Sequence, residues 1–302
     1  MLKKVVSVSL GSSKRNHTAT VELMGEKFEL SRVGTDGDFK KAVQILQRLD
    51  GNVDAIGLGG IDIYLFAGKR RYAIPDGLKL MQTVKKTPVV DGSGLKNTLE
   101  RETTNYLIKE GHLKPGTKVL MVSAVDRFGM AEALVENGCQ TTFGDLIFSI
   151  GIPCAIGSLK KLERVANLLL PLVIKLPFDF LYPTGKKQDE KTKGVSKYAK
   201  YYHRAEVIAG DFHFIKKYLP PKLSGQMIIT NTTTKEDLDL LAERGASMLV
   251  TTTPEFNGRS FGTNVVEAML VAMLGKKWED ITPEEYTQLL RKLDFKPRIV
   301  KF

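Results

Sequence analysis

Cysteine is nearly absent from this sequence: only Cys139 and Cys154 occur among 302 residues, and neither has a second cysteine at CxxC spacing. A disulfide scaffold or a cysteine-ligated metal site needs more cysteines than this, at closer spacing. We therefore expect a chain that folds around apolar cores in a reducing compartment and that holds no metal ion.

Long apolar runs are also missing. The most apolar window, residues 165–182, is interrupted by Lys175, Asp179 and two prolines, whereas a membrane-spanning helix needs about 20 predominantly apolar residues. The first residues run from Lys3 and Lys4 straight into an alternating stretch, without the apolar core and cleavage site of a signal peptide. The sequence therefore predicts a cytoplasmic protein with no membrane partner.

Acidic residues are fewer than basic ones, 34 against 45, and the formal net charge is +11. A basic surface attracts polyanions over a long range. The basic residues lie in short clusters, such as residues 69–71 and 186–200, and there is no arginine-rich helix or RNA-recognition motif. We therefore do not expect nucleic acid as a partner, and we interpret the charge as a solvated surface that serves a small anionic substrate.

The length and the hydrophobic content of 42% are typical of two medium-sized domains. Strand-like runs occur at residues 4–10, 18–24 and 27–33, and five more, from residue 118 to residue 251, alternate with helix-compatible segments. This pattern predicts an α/β fold with two domains. Residues 1–112 form an N-terminal substrate domain with a mixed sheet, and residues 113–302 form a Rossmann-like, doubly wound parallel sheet with C-terminal helices. The sequence does not distinguish a monomer from a homodimer.

Residues 118–145 have the order strand, turn, helix, glycine, strand, acid. In a dinucleotide-binding unit, the turn after the first strand presents backbone N–H groups to a pyrophosphate, and an acid about 20 residues later binds the ribose. That acid disfavours a 2′-phosphate, so NAD is expected rather than NADP. The turn has a single glycine, and a βαβ unit without a dinucleotide stays the alternative. The expected cofactor contacts here are Ser123, Asp126, Arg127, Phe128, Gly129 and Asp145.

Polar residues also follow the later strands, where ligands bind in open α/β sheets. Asp211, Asn231, Thr232 and Thr252 are predicted to complete the cofactor site, although the threonines after Asn231 could equally cap a helix. Further on, residues 258–264 combine glycines, Arg259 and Asn264 at a helix start. These features favour an anion site, with a purely structural loop as the alternative.

The first half contains a candidate catalytic segment, residues 91–98, which opens a long helix. Lys96 is the expected acid/base, Asp91 is its orienting partner, and Ser93 is a substrate contact. Asp91 and Ser93 could instead simply cap the helix. Other polar residues that end strands of the same sheet are expected to line the same cleft: Ser12, Ser13, Lys14 and Asp62.

Segments 5–15, 57–62, 90–98 and 258–264 together resemble a family of bacterial proteins identified as quinate or shikimate 5-dehydrogenase-like. The resemblance implies a substrate domain followed by an NAD(P) domain. We therefore expect an NAD-dependent oxidoreductase that acts on a hydroxylated carboxylic acid, with Arg259 binding the carboxylate. The alternative is a non-catalytic protein that binds a nucleotide or an anionic metabolite in a Rossmann-like domain.

Overall fold

The fold is known from a computed structural model, which describes residues 2–68, 70–176, 195–253, 255–256 and 259–302. It is a two-part α/β structure in which each part has its own mostly parallel sheet. The general α/β, two-part layout predicted from the sequence is therefore confirmed. The division at residue 112 stays a prediction.

The first sheet has the strand order β2-β3-β1-β4-β7, and only β2 runs antiparallel to its neighbour. A two-stranded hairpin, β5-β6, follows β4. The elements are β1 (Leu2–Ser9), β2 (His17–Leu23), β3 (Glu26–Gly34), α1 (Phe39–Leu49), β4 (Ala55–Gly59), β5 (Tyr64–Ala67), β6 (Arg70–Ala73), α2 (Pro75–Met81), β7 (Val89–Val90) and α3 (Ser93–Lys109).

The second sheet has the order β15-β12-β11-β10-β8-β9, and only the edge strand β15 runs antiparallel to its neighbour. The elements are β8 (Lys118–Met121), α4 (Phe128–Glu136), β9 (Gln140–Phe143), α5 (Asp145–Phe148), α6 (Leu159–Val173), α7 (Val195–Arg204), β10 (Val207–Ala209), α8 (Phe212–Tyr218), β11 (Met227–Thr230), α9 (Lys235–Glu243), β12 (Met248–Thr251), β13 (Glu255–Phe256), β14 (Arg259–Ser260), α10 (Thr263–Leu274), α11 (Pro283–Lys292) and β15 (Arg298–Lys301).

Each sheet is covered by helices on both faces, because its central strands are apolar on both sides. In the second sheet, one core includes Leu134 of α4 and Leu162 of α6, and the other includes Tyr202 of α7 and Leu241 of α9. The first sheet is covered by α1 and α2 on one face. Its other face packs against α3, α10 and α11. The chain therefore returns to the first sheet after it has built most of the second.

No helix in the described part of the chain is long and apolar enough to cross a lipid bilayer.

Candidate ligand site between the two sheets

The carboxyl ends of the parallel strands meet between the two sheets. Arg15 follows β1, the central strand of the first sheet, and its Nη1 donates to Nε2 of His213, which follows β10, at 3.3 Å. Within the second sheet, the strand order reverses between β8 and β10, which lie side by side but continue in opposite directions. In open α/β sheets, ligands bind outside the strand ends at such a point.

Arg127 occupies this reversal point and is the centre of a buried ion network. Its guanidinium pairs with Glu100 of α3, and these two side chains are 1% and 0% exposed. Its other contacts are with Asp211 at 3.1 Å and Asp126 at 3.6 Å. Desolvation raises the pKa of Glu100 to about 7 although the positive charge of Arg127 lowers it. Arg127, predicted as a cofactor contact, is therefore committed to the chain's own carboxylates.

Lys96 lies beside this network, one helical turn before Glu100. Its Nζ is 3.5 Å from Asp62 and 3.9 Å from Asp126, and its side chain is only 13% exposed. Desolvation lowers the pKa of Lys96, but the charges of Asp62 and Asp126 more than offset this and raise it above its ordinary value. Together, six residues form what we call the charged cluster: Asp62, Lys96, Glu100, Asp126, Arg127 and Asp211.

Asp91 lies outside the charged cluster, and the structure gives Lys96 different partners from the predicted one. One Asp91 oxygen accepts from the backbone N–H groups of Ile63 at 2.5 Å and Tyr64 at 3.0 Å. The other accepts from the N–H and the hydroxyl of Ser93 at 2.9 and 2.5 Å. The expectation that Asp91 orients Lys96 is corrected accordingly: Asp91 joins the start of α3 to the loop after β4.

Two backbone N–H groups of the turn after β8 already bind a carboxylate of the protein itself. Asp145 Oδ1 accepts from the backbone N–H groups of Ala124 and Val125 at 2.8 and 2.9 Å. Asp145 is buried, and desolvation raises its pKa to about 6. A carboxylate with this position and environment occupies the turn itself and does not reach out to a ribose. The prediction of NAD at this turn is therefore wrong.

The remaining residues of this turn have internal roles as well. Gly129 allows close packing of α3, because a Cβ there would overlap Asn97. Phe128 is buried in a core of the second sheet. Ser123 Oγ accepts from the backbone N–H of Asp211 at 3.0 Å. These three predicted cofactor contacts hold the turn against α3 and β10.

The polar ends of β11 and β12 support Asp211 and leave hydroxyls without partners. Asn231 donates to Asp211 at 3.0 Å. The Thr252 hydroxyl is fully buried and has no hydrogen-bond partner in the described part of the chain. Thr232 is half-buried, and the helix cap of α9 is Thr234, whose hydroxyl accepts from the N–H of Asp237. The capping interpretation of the threonine run is thus correct for one member.

The other predicted substrate contacts lie around the first sheet. Ser12 Oγ accepts from the N–H of Lys14 at 3.2 Å, and the N–H of Ser13 donates to Asp36 at 2.7 Å, so these residues shape the turn after β1. Asn264 donates to Ser7 at 2.8 Å and ties α10 to the sheet. Arg259 lies in β14, but its side chain is outside the described part of the structure.

Glu100 is the main site residue that the sequence interpretation missed. Lys96 and Glu100 are four residues apart on α3, a spacing that places both on one helix face. This four-residue spacing from Lys96 could have identified Glu100 in the sequence. Among the described residues, no three His, Cys, Asp or Glu side chains are grouped so that they could hold a metal ion.

No curated protein is detectably similar to this chain. Similar solved structures include a galactofuranose-binding protein (14% identity, 97% of this chain and 98% of that chain, TM-score 0.37). A periplasmic sugar-binding protein from Legionella pneumophila matches with 9% identity over 91% of this chain and 97% of that chain, TM-score 0.40. Malic enzyme from Entamoeba histolytica matches with 12% identity over 96% of this chain and 61% of that chain, TM-score 0.42. Likeness at this level transfers neither a ligand nor a reaction.

These findings correct three expectations from the sequence. Several of the similar structures are sugar-binding proteins, so they give no support to the quinate/shikimate dehydrogenase resemblance or to NAD as cofactor. The expected cytoplasmic location has no support from them either, since two of these structures are described as periplasmic. The family models that match are domains of unknown function, DUF8753 over residues 4–91 and DUF8754 over residues 94–302. Because the second model spans more than half of the sequence, the chain belongs to the family defined by the domain of unknown function DUF8754.

Proposed function

We propose that this protein binds a small, uncharged, polyhydroxylated molecule, such as a sugar or another polyol, between the carboxyl ends of its two sheets, and that it does not convert it. The observation that carries this proposal is the position of Lys96 between two carboxylates. Its distances of 3.5 and 3.9 Å to Asp62 and Asp126 exceed the length of a direct hydrogen bond, about 2.7–3.2 Å.

A hydroxyl group placed beside such a pair can bind both partners, because it can accept from an ammonium and donate to a carboxylate at the same time. Asp126 Oδ1 is buried without a hydrogen-bond partner in the described part of the chain, and a buried acceptor of this kind is costly unless something donates to it. Two neighbouring ligand hydroxyls, one beside Asp62 and one donating to Asp126, would bind Lys96 and give Asp126 Oδ1 a donor. This donor and acceptor pattern favours a polyol.

The balance of charge argues for a neutral ligand and against the anionic one expected from the sequence. The charged cluster has four carboxylates and two cations. An added anion would be repelled at short range by the surplus of negative charge, and in a partly buried site this repulsion is weakly screened. A hydroxylated molecule avoids that repulsion and still hydrogen-bonds to the carboxylates.

The protonation state of Lys96 supports binding without catalysis. An acid/base catalyst works best with a pKa near the working pH, whereas the two acids beside Lys96 raise its pKa above the ordinary value. Lys96 therefore stays charged at neutral pH and acts as a fixed hydrogen-bond donor.

Trp278 is the only tryptophan, so its fluorescence provides a test of ligand binding. Its ring lies 5.5 Å from that of Tyr64, whose backbone N–H donates to Asp91 beside the proposed site. Titration with neutral pentoses, hexoses and polyols should give a saturable change with at least one of them. The matching uronates and sugar phosphates should bind more weakly, and the bound compound should be recovered with its mass unchanged.

The matched variants are Lys96→Met, which removes the proposed donor, and Lys41→Met on the exposed face of α1. Loss of a charged hydrogen-bond donor typically weakens binding by about 1.5–3 kcal/mol, roughly 10- to 150-fold. Lys96→Met should show that loss and Lys41→Met should not. Equal affinity in both variants, or tighter binding of the uronates than of the neutral sugars, would refute the proposed site.

A further inference from the structure

The turn after β8 binds a carboxylate from the same chain, that of Asp145. Two successive backbone N–H groups, those of Ala124 and Val125, converge on Asp145 Oδ1 at 2.8 and 2.9 Å. Successive N–H groups in a turn form a concave site that binds anions. Here the anion comes from the end of the neighbouring strand β9, since Asp145 follows Phe143 by two residues.

The surroundings of this turn restrict access to the two N–H groups. Ser123 and Ala124 are buried, and Asp145 is 9% exposed. On the side of α4, the helix start lies against α3, where Gly129 meets Asn97 so closely that a Cβ would not fit. Arg127, the cation nearest in sequence, is engaged by Glu100 and Asp211.

We propose that Asp145 is a specificity-determining residue: its carboxylate fills the anion-binding turn of the second sheet and so excludes ligands that would place a phosphate or pyrophosphate there. The backbone N–H groups of the turn are arranged as in a phosphate-binding site, but the Asp145 side chain occupies that site. Nucleotides and sugar phosphates are therefore rejected at this position. This inference does not depend on the proposed polyol site, because it concerns a different group of atoms and a different ligand class.

The test is rescue of an Asp145→Ala variant by added anions. Sodium formate, which matches the deleted carboxylate, and inorganic phosphate are compared with sodium chloride at equal ionic strength, by thermal unfolding and by calorimetric titration. The wild-type protein in each salt measures the general effect of that salt on stability. Relative to the wild type in the same salt, Asp145→Ala should have a lower midpoint in chloride, a smaller deficit in formate or phosphate, and at least about a tenfold gain in affinity for one of these anions.

Two further variants make the result decisive. Asp145→Asn retains an oxygen acceptor for the two N–H groups and should gain no anion affinity, and Asp239→Ala removes an exposed carboxylate from α9 and should behave like the wild type. If Asp145→Ala folds in chloride but gains no anion dependence, the inference is wrong. If it folds only when formate or phosphate is present, the inference is supported, whereas failure to fold in all three salts while Asp145→Asn folds would contradict it.

Discussion

Replacing the buried Arg127 by methionine should destabilise this protein more than the same replacement of a partly exposed arginine. The guanidinium faces three carboxylates: Glu100, Asp211 at 3.1 Å and Asp126 at 3.6 Å. Methionine fills much of the same volume, so the main change is the loss of the positive charge. Lys96 would then be the one remaining cation of the charged cluster, beside four carboxylates.

The magnitude follows from burial. Removing one partner of a buried ion pair usually costs about 3–5 kcal/mol, because the other charge stays in a medium that solvates it poorly. Glu100 is fully buried and has a pKa of about 7 even beside Arg127, so without Arg127 its pKa rises further and it takes up a proton on folding. A folded-state pKa raised above the unfolded one means stability that is lost as the pH rises. The deficit of Arg127→Met should therefore be smaller at about pH 5.5 than at about pH 8.

Equilibrium unfolding in urea at both pH values measures this difference. The matched control is Arg101→Met, because Arg101 is also an arginine that links α3 to α4, through Glu132 and Glu136, but lies at a partly exposed surface. Such pairs contribute about 0–1 kcal/mol. Adding Glu100→Leu to Arg127→Met should restore part of the stability, since an apolar pair leaves one buried charge fewer. If the two arginine variants lose equal stability at both pH values, burial does not make the Arg127 network costly to disrupt, and the reasoning is wrong.

Two further predictions concern packing and titration. Gly129→Ala should lower the thermal midpoint and the free energy of unfolding by about 1–3 kcal/mol, because the new Cβ would overlap Asn97. Gly157→Ala is the control and should leave the midpoint unchanged, because a Cβ at Gly157 would meet no atom within 4 Å. Glu267 is buried, and desolvation, followed by the charge of Asp91, raises its pKa to about 8. Its contribution to stability is thus lost as the pH rises toward 8, so Glu267→Gln should flatten the pH dependence of unfolding between about pH 5 and pH 9.

The local elements were readable from the sequence because their signals are short-range. The strand-like runs at residues 4–10, 18–24 and 27–33 predicted the strands β1, β2 and β3, and in the structure β2 and β3 form an antiparallel pair. The unit at residues 118–145 forms the predicted strand, helix and strand. Hydrophobic period and turn residues are enough for such assignments.

The role of Asp145 could not be read in the same way. An acid at this spacing lies at the end of a strand, beside the first turn of the unit. Its carboxylate can point outward to a ribose or inward to the N–H groups of Ala124 and Val125, and the sequence pattern is the same for both orientations. The answer depends on the depth of the side chain, since Asp145 is buried. Single-sequence reasoning has no access to that depth.

The position of α10 was beyond the sequence for a related reason. From Val265 to Leu270 the helix is buried on nearly all sides, so its apolar residues do not mark one face that must meet one sheet. It packs on the first sheet, beside Val5 and Phe28, although it follows the strands of the second. A uniformly apolar helix fits equally well against either sheet, and long-range pairing decides between them.

The distribution of charge distinguishes the outer surface of this protein from the proposed ligand site. The chain has a formal net charge of +11, yet the charged cluster between the sheets has more acids than bases. The net charge of the residues outside the cluster is therefore even more positive than that of the whole chain. That outer charge draws anions toward the protein over about a Debye length, 8–10 Å, while the carboxylates of the cluster repel them at contact. Anions that accumulate around the molecule would therefore not compete for the space beside Lys96, and at the proposed site selection would depend on hydrogen bonding rather than on net attraction.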